Sequence, residues 1–189
     1  IRYQPRSRWL GDVYKRQVLE PGQCQHLVDK FEDSKHQWIK TELKSHRSFT
    51  EININLHSDW QEYVDIVYKV LRPYVDKYCE DNDIDRLKQW PNKFGFEQIR
   101  FKKYEVNNTD EFQEHVDVMD YASAKRFLVF FLYLKDNKEG YTSFPEYDLK
   151  VKPKAGRLLM FPPLWTYKHI GHKPIEVPKY IIGSYLHYV

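Results

Sequence analysis

Arg126-Phe127-Leu128-Val129-Phe130-Phe131-Leu132-Tyr133-Leu134 is the stretch that decides the fold. Branched and aromatic residues at this density favour pleated chain. The eight apolar residues from Phe127 to Leu134 are too few to cross a membrane and read as a buried strand. Working outward, Phe94, Phe96 and Gln98 begin a period-two pattern that Ile99 to Tyr104 continues, and Arg157 to Phe161 and Tyr180 to Tyr188 add further strands. Asn107-Asn108, Asp136-Asn137, Lys154-Ala155-Gly156 and Gly171 are the turn signals between them.

Towards the N-terminus the period becomes helical. Cys24, Leu27, Val28 and Phe31 lie at i, i+3, i+4 and i+7 after Pro21, so one face of a short helix is apolar. Ser58-Asp59-Trp60-Gln61 has the form of a capping box. Behind it Trp60, Tyr63, Val64, Val67, Leu71, Tyr74 and Tyr78 keep helical spacing, and Pro73 predicts a kink or split. Between these helices Ser48 to Leu56 supplies a candidate strand. Helices followed by many short strands predict an α+β chain, its helices packed against an antiparallel barrel or sandwich. The expected organisation is a single domain over 18–189, with helical support over 18–90 and a β core over 91–189.

At 189 residues the chain fits one domain with a sizeable core. Aromatic residues make up 16%, so that core should lean on rings. The formal net charge of +3 does not by itself imply a nucleic-acid or membrane partner. Two cysteines, Cys24 and Cys79, are too few for a disulfide framework and suit helix packing in a reducing compartment. With no secretory signal pattern either, a cytoplasmic location is expected. Ile1 to Gln17 lacks periodicity, and Arg8 to Gln17 resembles translated adaptor sequence, so 1–17 is expected to be a non-native leader outside the fold.

The chemistry centres on His115-Val116-Asp117. In extended chain, side chains at i and i+2 share a face, so imidazole and carboxylate can reach one ion. His169 follows 54 residues later, just before the last strand. Two His and one carboxylate form the facial triad typical of non-haem Fe(II) oxygenases, which leaves three coordination positions open. A lone His-x-Asp is common in surface loops, so the surrounding sequence must carry the rest.

That surrounding sequence resembles the prolyl 4-hydroxylase-like branch of the Fe(II)/2-oxoglutarate-dependent dioxygenases from Phe94 to the C-terminus. The resemblance rests on Ile99 to Tyr104 leading into His115-Val116-Asp117, then Arg126 to Leu134, Gly140 to Pro145, and Pro153 to Pro162 running into His169-Ile170-Gly171-His172-Lys173-Pro174 and Lys179-Tyr180. It implies a double-stranded β-helix (jelly-roll) core flanked by N-terminal helices. It also implies Fe(II) on His115, Asp117 and His169, with 2-oxoglutarate as co-substrate and O2 as oxidant. Lys179, ten residues after His169, stands where the family pairs a basic residue with the distal carboxylate of 2-oxoglutarate. Tyr104 and Tyr133 match tyrosines that line the co-substrate pocket, though core packing is their other reading. His172 competes with His169 for the third ligand position, and the His, Gly, Pro spacing favours His169.

The chain also departs from the family. Glu139-Gly140-Tyr141-Thr142 lacks one glycine and the acid of the usual turn, and Phe112 stands where a tyrosine is common. Phe130, Phe161 and Trp165 are candidate aromatic walls of the pocket, with core packing as the other reading of each. The implied activity is hydroxylation of a prolyl or other amino-acid side chain in a peptide or protein, releasing succinate and CO2, with no catalytic residue beyond the metal ligands. The alternative is a non-catalytic metal- or peptide-binding module. Nucleic-acid demethylases of the superfamily typically place arginines after the distal His, and none follows Arg157 here. A zinc hydrolase would need a general base that no motif supplies.

Overall fold

The computed structural model describes residues 13–43 and 46–189. Its backbone is built on one curled sheet in which every pairing is antiparallel. The strands are β1 (Tyr14–Gln17), β2 (Ile39–Leu43), β3 (Arg47–Asn53), β4 (Phe94–Phe96), β5 (Arg100–Tyr104), β6 (Phe112–His115), β7 (Arg126–Tyr133), β8 (Thr142–Phe144), β9 (Leu149–Val151), β10 (Arg157–Phe161), β11 (His169–Gly171) and β12 (Lys179–Tyr188). Their order is β1-β10-β7-β12-β5-β3-β6-β11-β8-β9, with β2 on β3 and β4 on β12. This is the expected jelly roll: the long strands form a wall and the short strands β6, β11, β8 and β9 fold over it.

Two helices, α1 (Pro21–Asp33) and α2 (Gln61–Asp81), cover the outer face of the wall. Alternation along each strand divides the side chains between two cores. On β7, Leu128, Phe130 and Leu132 pack with the helices, while Val129 and Tyr133 belong to the inner core. On β12, Tyr180, Ile182 and Leu186 go outward and Ile181 inward; on β5, Phe101 goes outward and Tyr104 inward. Cys24, Leu27, Val28 and Phe31 are the buried face of α1, as the spacing predicts. Phe31 sits 5.2 Å from the Trp38 ring and 4.5 Å from that of Phe101, locking helix to sheet. Both cysteines are free and buried.

Several expectations are corrected here. Pro73 does not split α2, which runs unbroken over Gln61–Asp81. The proline lies on the exposed face, where water can satisfy the carbonyl it leaves unpaired, and Val67, Leu71 and Val75 hold the opposite face in the core on both sides of it. The capping box at Ser58 does not form: Ser58–Trp60 makes a 3-10 turn leading into α2. A capping interaction appears on α1, where the Glu20 N–H donates to Gln23 Oε1 at 2.9 Å. Residues 13–17 join the fold, because β1 pairs with β10 and Tyr14 is buried edge-on against Tyr78 at 5.9 Å. Residues 1–12 lie outside the described residues. The candidate strand at Ser48–Leu56 is present as β3, with Ile54–Leu56 in a 3-10 turn, and β2 adds a further strand from the N-terminal half. No helix among the described residues is long and apolar enough to cross a membrane.

Candidate metal centre

The register of two short strands explains how residues so distant in the chain meet. His115 ends β6, His169 begins β11, and the antiparallel ladder sets them directly opposite each other. Their ring centroids are 4.2 Å apart. Asp117 follows β6, its backbone N–H donating to Pro163 O at 3.3 Å. One ligand atom from each of His115, Asp117 and His169 lies within 4.8 Å of the others. His115 Nε2 is 3.6 Å from Asp117 Oδ1, and His169 Nε2 is 3.6 Å from Asp117 Oδ2.

The donor set fits a divalent metal. His115 Nδ1 is 2.6 Å from Gln113 O, and His169 Nδ1 is 3.1 Å from Tyr167 O. A carbonyl only accepts, so each Nδ1 must carry the proton and each Nε2 keeps its lone pair for the shared point. Asp117 Oδ2 and His169 Nε2 are buried, and neither has a hydrogen-bond partner among the described residues. Such orphaned atoms are costly unless something binds them. Burial pushes His169 down to about 4, so its imidazole is neutral at pH 7. Burial opposes ionisation of Asp117, yet the facing imidazoles and the Tyr185 hydroxyl hold its carboxyl down to about 2. An ionised carboxylate facing the neutral imidazole of His169 is the protonation state that metal ligation requires.

Side chains that the motif does not contain hold this cluster in place. Tyr185 donates its hydroxyl to Asp117 Oδ1 at 2.9 Å. Arg126 grips both oxygens of Glu97 at 2.9 Å, donates from Nη1 to Asp117 O at 3.0 Å, and lies 4.0 Å over the Tyr185 ring. Phe112 stacks on His115 at 3.4 Å. Reading the sequence missed Tyr185, Arg126 and Glu97. The first was within reach: Lys179, Ile181, Gly183 and Tyr185 alternate on one strand, so Tyr185 shares a face with the candidate lysine.

The other expected residues are distributed as follows. Lys179 is fully buried, donates from Nζ to His172 O at 2.5 Å and lies 4.1 Å from the Tyr104 ring centroid. It makes no ion pair among the described residues, and burial pushes it down to about 7. Tyr133 shares a 2.7 Å hydrogen bond with Thr142 Oγ1. Tyr104 and Thr142 line a narrow cavity beside the three clustered side chains, whereas Lys179 and Tyr133 stand one layer further out, against them. His172 is not in the cluster; its Nε2 is hydrogen-bonded to Ser143 Oγ at 2.8 Å. Of the proposed aromatic walls, Phe161 packs 4.9 Å from His169. Phe130 faces the helices instead, Phe131 lines the cavity, and Trp165 is 77% exposed.

The model of the 2OG-Fe(II) oxygenase superfamily matches residues 99–187, which carry the whole cluster, and this stretch belongs to that superfamily. The matched stretch is that of a 2-oxoglutarate-dependent dioxygenase, and Fe(II), 2-oxoglutarate and O2 are the cofactors of that superfamily. Among solved structures the chain is similar to the viral collagen prolyl hydroxylase of Paramecium Bursaria Chlorella virus-1 in its 2OG complex, with TM-score 0.73 and 20% identity, covering 94% of this chain and 97% of that one. It is similar also to a Trichoplax adhaerens prolyl hydroxylase bound to a peptide fragment of the hypoxia inducible factor oxygen degradation domain, with TM-score 0.70, 16% identity, and 94% and 84% coverage. A Pseudomonas putida prolyl-4-hydroxylase follows at TM-score 0.62, 12% identity, and 94% and 93% coverage. At these identities the likeness is one of fold. Curated proteins offer no sequence match.

Proposed function

We propose that the protein hydroxylates a prolyl, or other amino-acid, side chain of a peptide or protein, with Fe(II) held by His115, Asp117 and His169. The observation that carries this reading is the convergence of three ligand atoms within 4.8 Å, two of them buried on atoms with no other partner. Bound Fe(II) with 2-oxoglutarate and O2 supplies the oxidising chemistry, in which 2-oxoglutarate leaves as succinate and CO2.

The chain's own part is to place and neutralise charge. Tyr185 and Arg126 fix the Asp117 carboxylate from its side chain and its backbone. Lys179 is assigned to the distal carboxylate of 2-oxoglutarate: a buried ammonium with a carbonyl as its hydrogen-bond partner is stabilised when a diacid reaches it. Tyr104 lines the cavity and Tyr133 backs it through Thr142, which supports their assignment to the same pocket. Phe131 and Phe161 supply apolar wall around His169, limiting water at the reacting centre. The prolyl preference is supported by the fold shared with the three prolyl hydroxylases.

The test is anaerobic reconstitution with Fe(II) and 2-oxoglutarate. The expected result is a visible metal-to-ligand charge-transfer band, followed on admission of oxygen by succinate in proportion to hydroxylated prolyl peptide. A band without succinate across proline-containing peptides would point to a binding module instead.

A further inference from the structure

The inner face of β5 carries two cations, distinct from the proposed metal ligands and from Lys179. Alternation sends Phe101 and Lys103 towards the helices and Arg100 and Lys102 into the cleft. The outward Lys103 finds two carboxylates, Glu32 at 2.8 Å and Glu105 at 2.6 Å. The inward Lys102 makes no ion pair among the described residues; its Nζ lies 4.6 Å from the Phe49 ring centroid. Arg100 has neither an ion pair nor a side-chain hydrogen bond among them. At the rim the Arg47 guanidinium rests 5.7 Å from the Phe112 ring centroid.

All three cations line a groove of about 840 Å³ that opens from the metal cluster, and Arg100 and Lys102 also line the narrow cavity beside it. The acids of the groove are already engaged. Glu97 is held by Arg126, and Asp120 Oδ1 accepts from the Ser123 hydroxyl. Glu51, opposite Lys102 in register, accepts from Thr41 Oγ1 at 2.9 Å, and Asp117 belongs to the metal cluster. Burial pushes Lys102 down, Glu51 and Asp117 attract it, and Arg47 and Arg100 repel it, so these charges all act within one cleft. The metal complex does not consume the excess: Fe(II) with Asp117 and 2-oxoglutarate with Lys179 cancel.

We propose that this cleft selects substrates by an anionic group, the carboxylate of an acidic residue next to the residue to be hydroxylated, held by Arg100 and Lys102 with Arg47 at the rim. A carboxylate placed there makes charge-assisted hydrogen bonds to donors that have no other partner. A neutral or basic peptide leaves the same cations uncompensated, so the cleft discriminates by repulsion as well as by attraction. The inference rests on the hydroxylase reading of the same site.

Peptides of Asp–Pro, Asn–Pro and Asp–Ala repeats, carrying a neutral dye, are titrated by fluorescence anisotropy into the anaerobic complex with Fe(II) and 2-oxoglutarate. Asp–Pro should bind at least about tenfold more tightly than Asn–Pro at low salt, and the ratio should fall below about threefold in Lys102→Met and Arg100→Gln. The charge-transfer band should show unchanged 2-oxoglutarate affinity in both variants, which also reports that they fold. Equal binding of Asp–Pro and Asn–Pro by the unaltered protein overturns the proposal. So does a Lys102→Met variant that keeps the preference but loses 2-oxoglutarate, since that assigns the lysine to the co-substrate. Asp–Ala bound as tightly as Asp–Pro, with succinate from neither, sinks the prolyl reading and leaves anion selection standing.

Discussion

The two faces of β5, β7 and β12 carry the same kinds of side chain in opposite states of satisfaction. Outward, Lys103 meets Glu32 and Glu105, Tyr180 donates to Glu32 at 2.8 Å, and Leu128, Phe130 and Leu132 pack against the helices. Inward, Lys102, Lys179 and Arg100 make no ion pairs among the described residues, and Asp117 Oδ2 and His169 Nε2 have no hydrogen-bond partner there. One face is finished within the fold, while the other leaves cations and buried lone pairs unmatched among the described residues. Stability and function are thereby separated by a single residue step along each strand.

Substitutions on each face should break that division or sharpen it. The largest effect belongs to Asp117→Ala, which should weaken Fe(II) binding by more than about a hundredfold in anaerobic titration, since no other carboxylate stands in the cluster. On the opposite face Phe130→Ala should cost about 3–5 kcal/mol of folding stability by urea unfolding while the folded protein keeps its iron stoichiometry. Loss of iron in the folded variant would show that the faces are coupled. Lys179→Met should raise the 2-oxoglutarate requirement roughly tenfold to a hundredfold and spare iron binding. Unchanged affinity would remove Lys179 from the pocket.

The same lysine gives a pH dependence with a defined sign. Burial holds it down to about 7 from an ordinary 10.5. Pairing with a diacid needs the ammonium, so 2-oxoglutarate affinity should fall between pH 7 and 9, by at most about tenfold per unit, with a proton taken up on binding. The slope should vanish in Lys179→Met. A lysine depressed in the fold also destabilises it below the unfolded value, so this residue's contribution to stability should improve as pH rises from 7 towards 10.5. The smallest effect is expected from Tyr185→Phe, which removes one hydrogen bond to Asp117 and should weaken Fe(II) about tenfold. An unchanged iron off-rate would make Tyr185 a wall and no more.

Much of this was legible in the sequence because it depends on local chemistry. The density of aromatic and branched residues from Arg126 to Leu134 marked β7, and the spacing of Cys24, Leu27, Val28 and Phe31 marked α1. His115, Asp117 and His169 could be singled out as candidates because imidazole and carboxylate in that pattern suit one chemistry. What failed has a common cause. From Phe127 onward every position of β7 is apolar, so the alternation has a period but no visible phase, and the sequence leaves Phe130 readable as pocket wall or as core, where it lies, while Phe131 lines the cavity. Trp165 has the residue type of a pocket wall, yet it sits in an exposed turn. Pro73 breaks a helix on local grounds alone, whereas packing of Val67, Leu71 and Val75 in the core holds both halves of α2 together.

The sequence by itself determined the periods of the elements, the residue types able to bind a metal, and the absence of a long apolar helix. Tertiary structure alone decided that His169 stands opposite His115 while His172 turns to Ser143, and that Lys102 faces inward without an acid while Lys103 faces outward between two. The reason is that ladder register and sheet curvature fix which of two alternating faces is buried, and both are set by pairing partners far away along the chain.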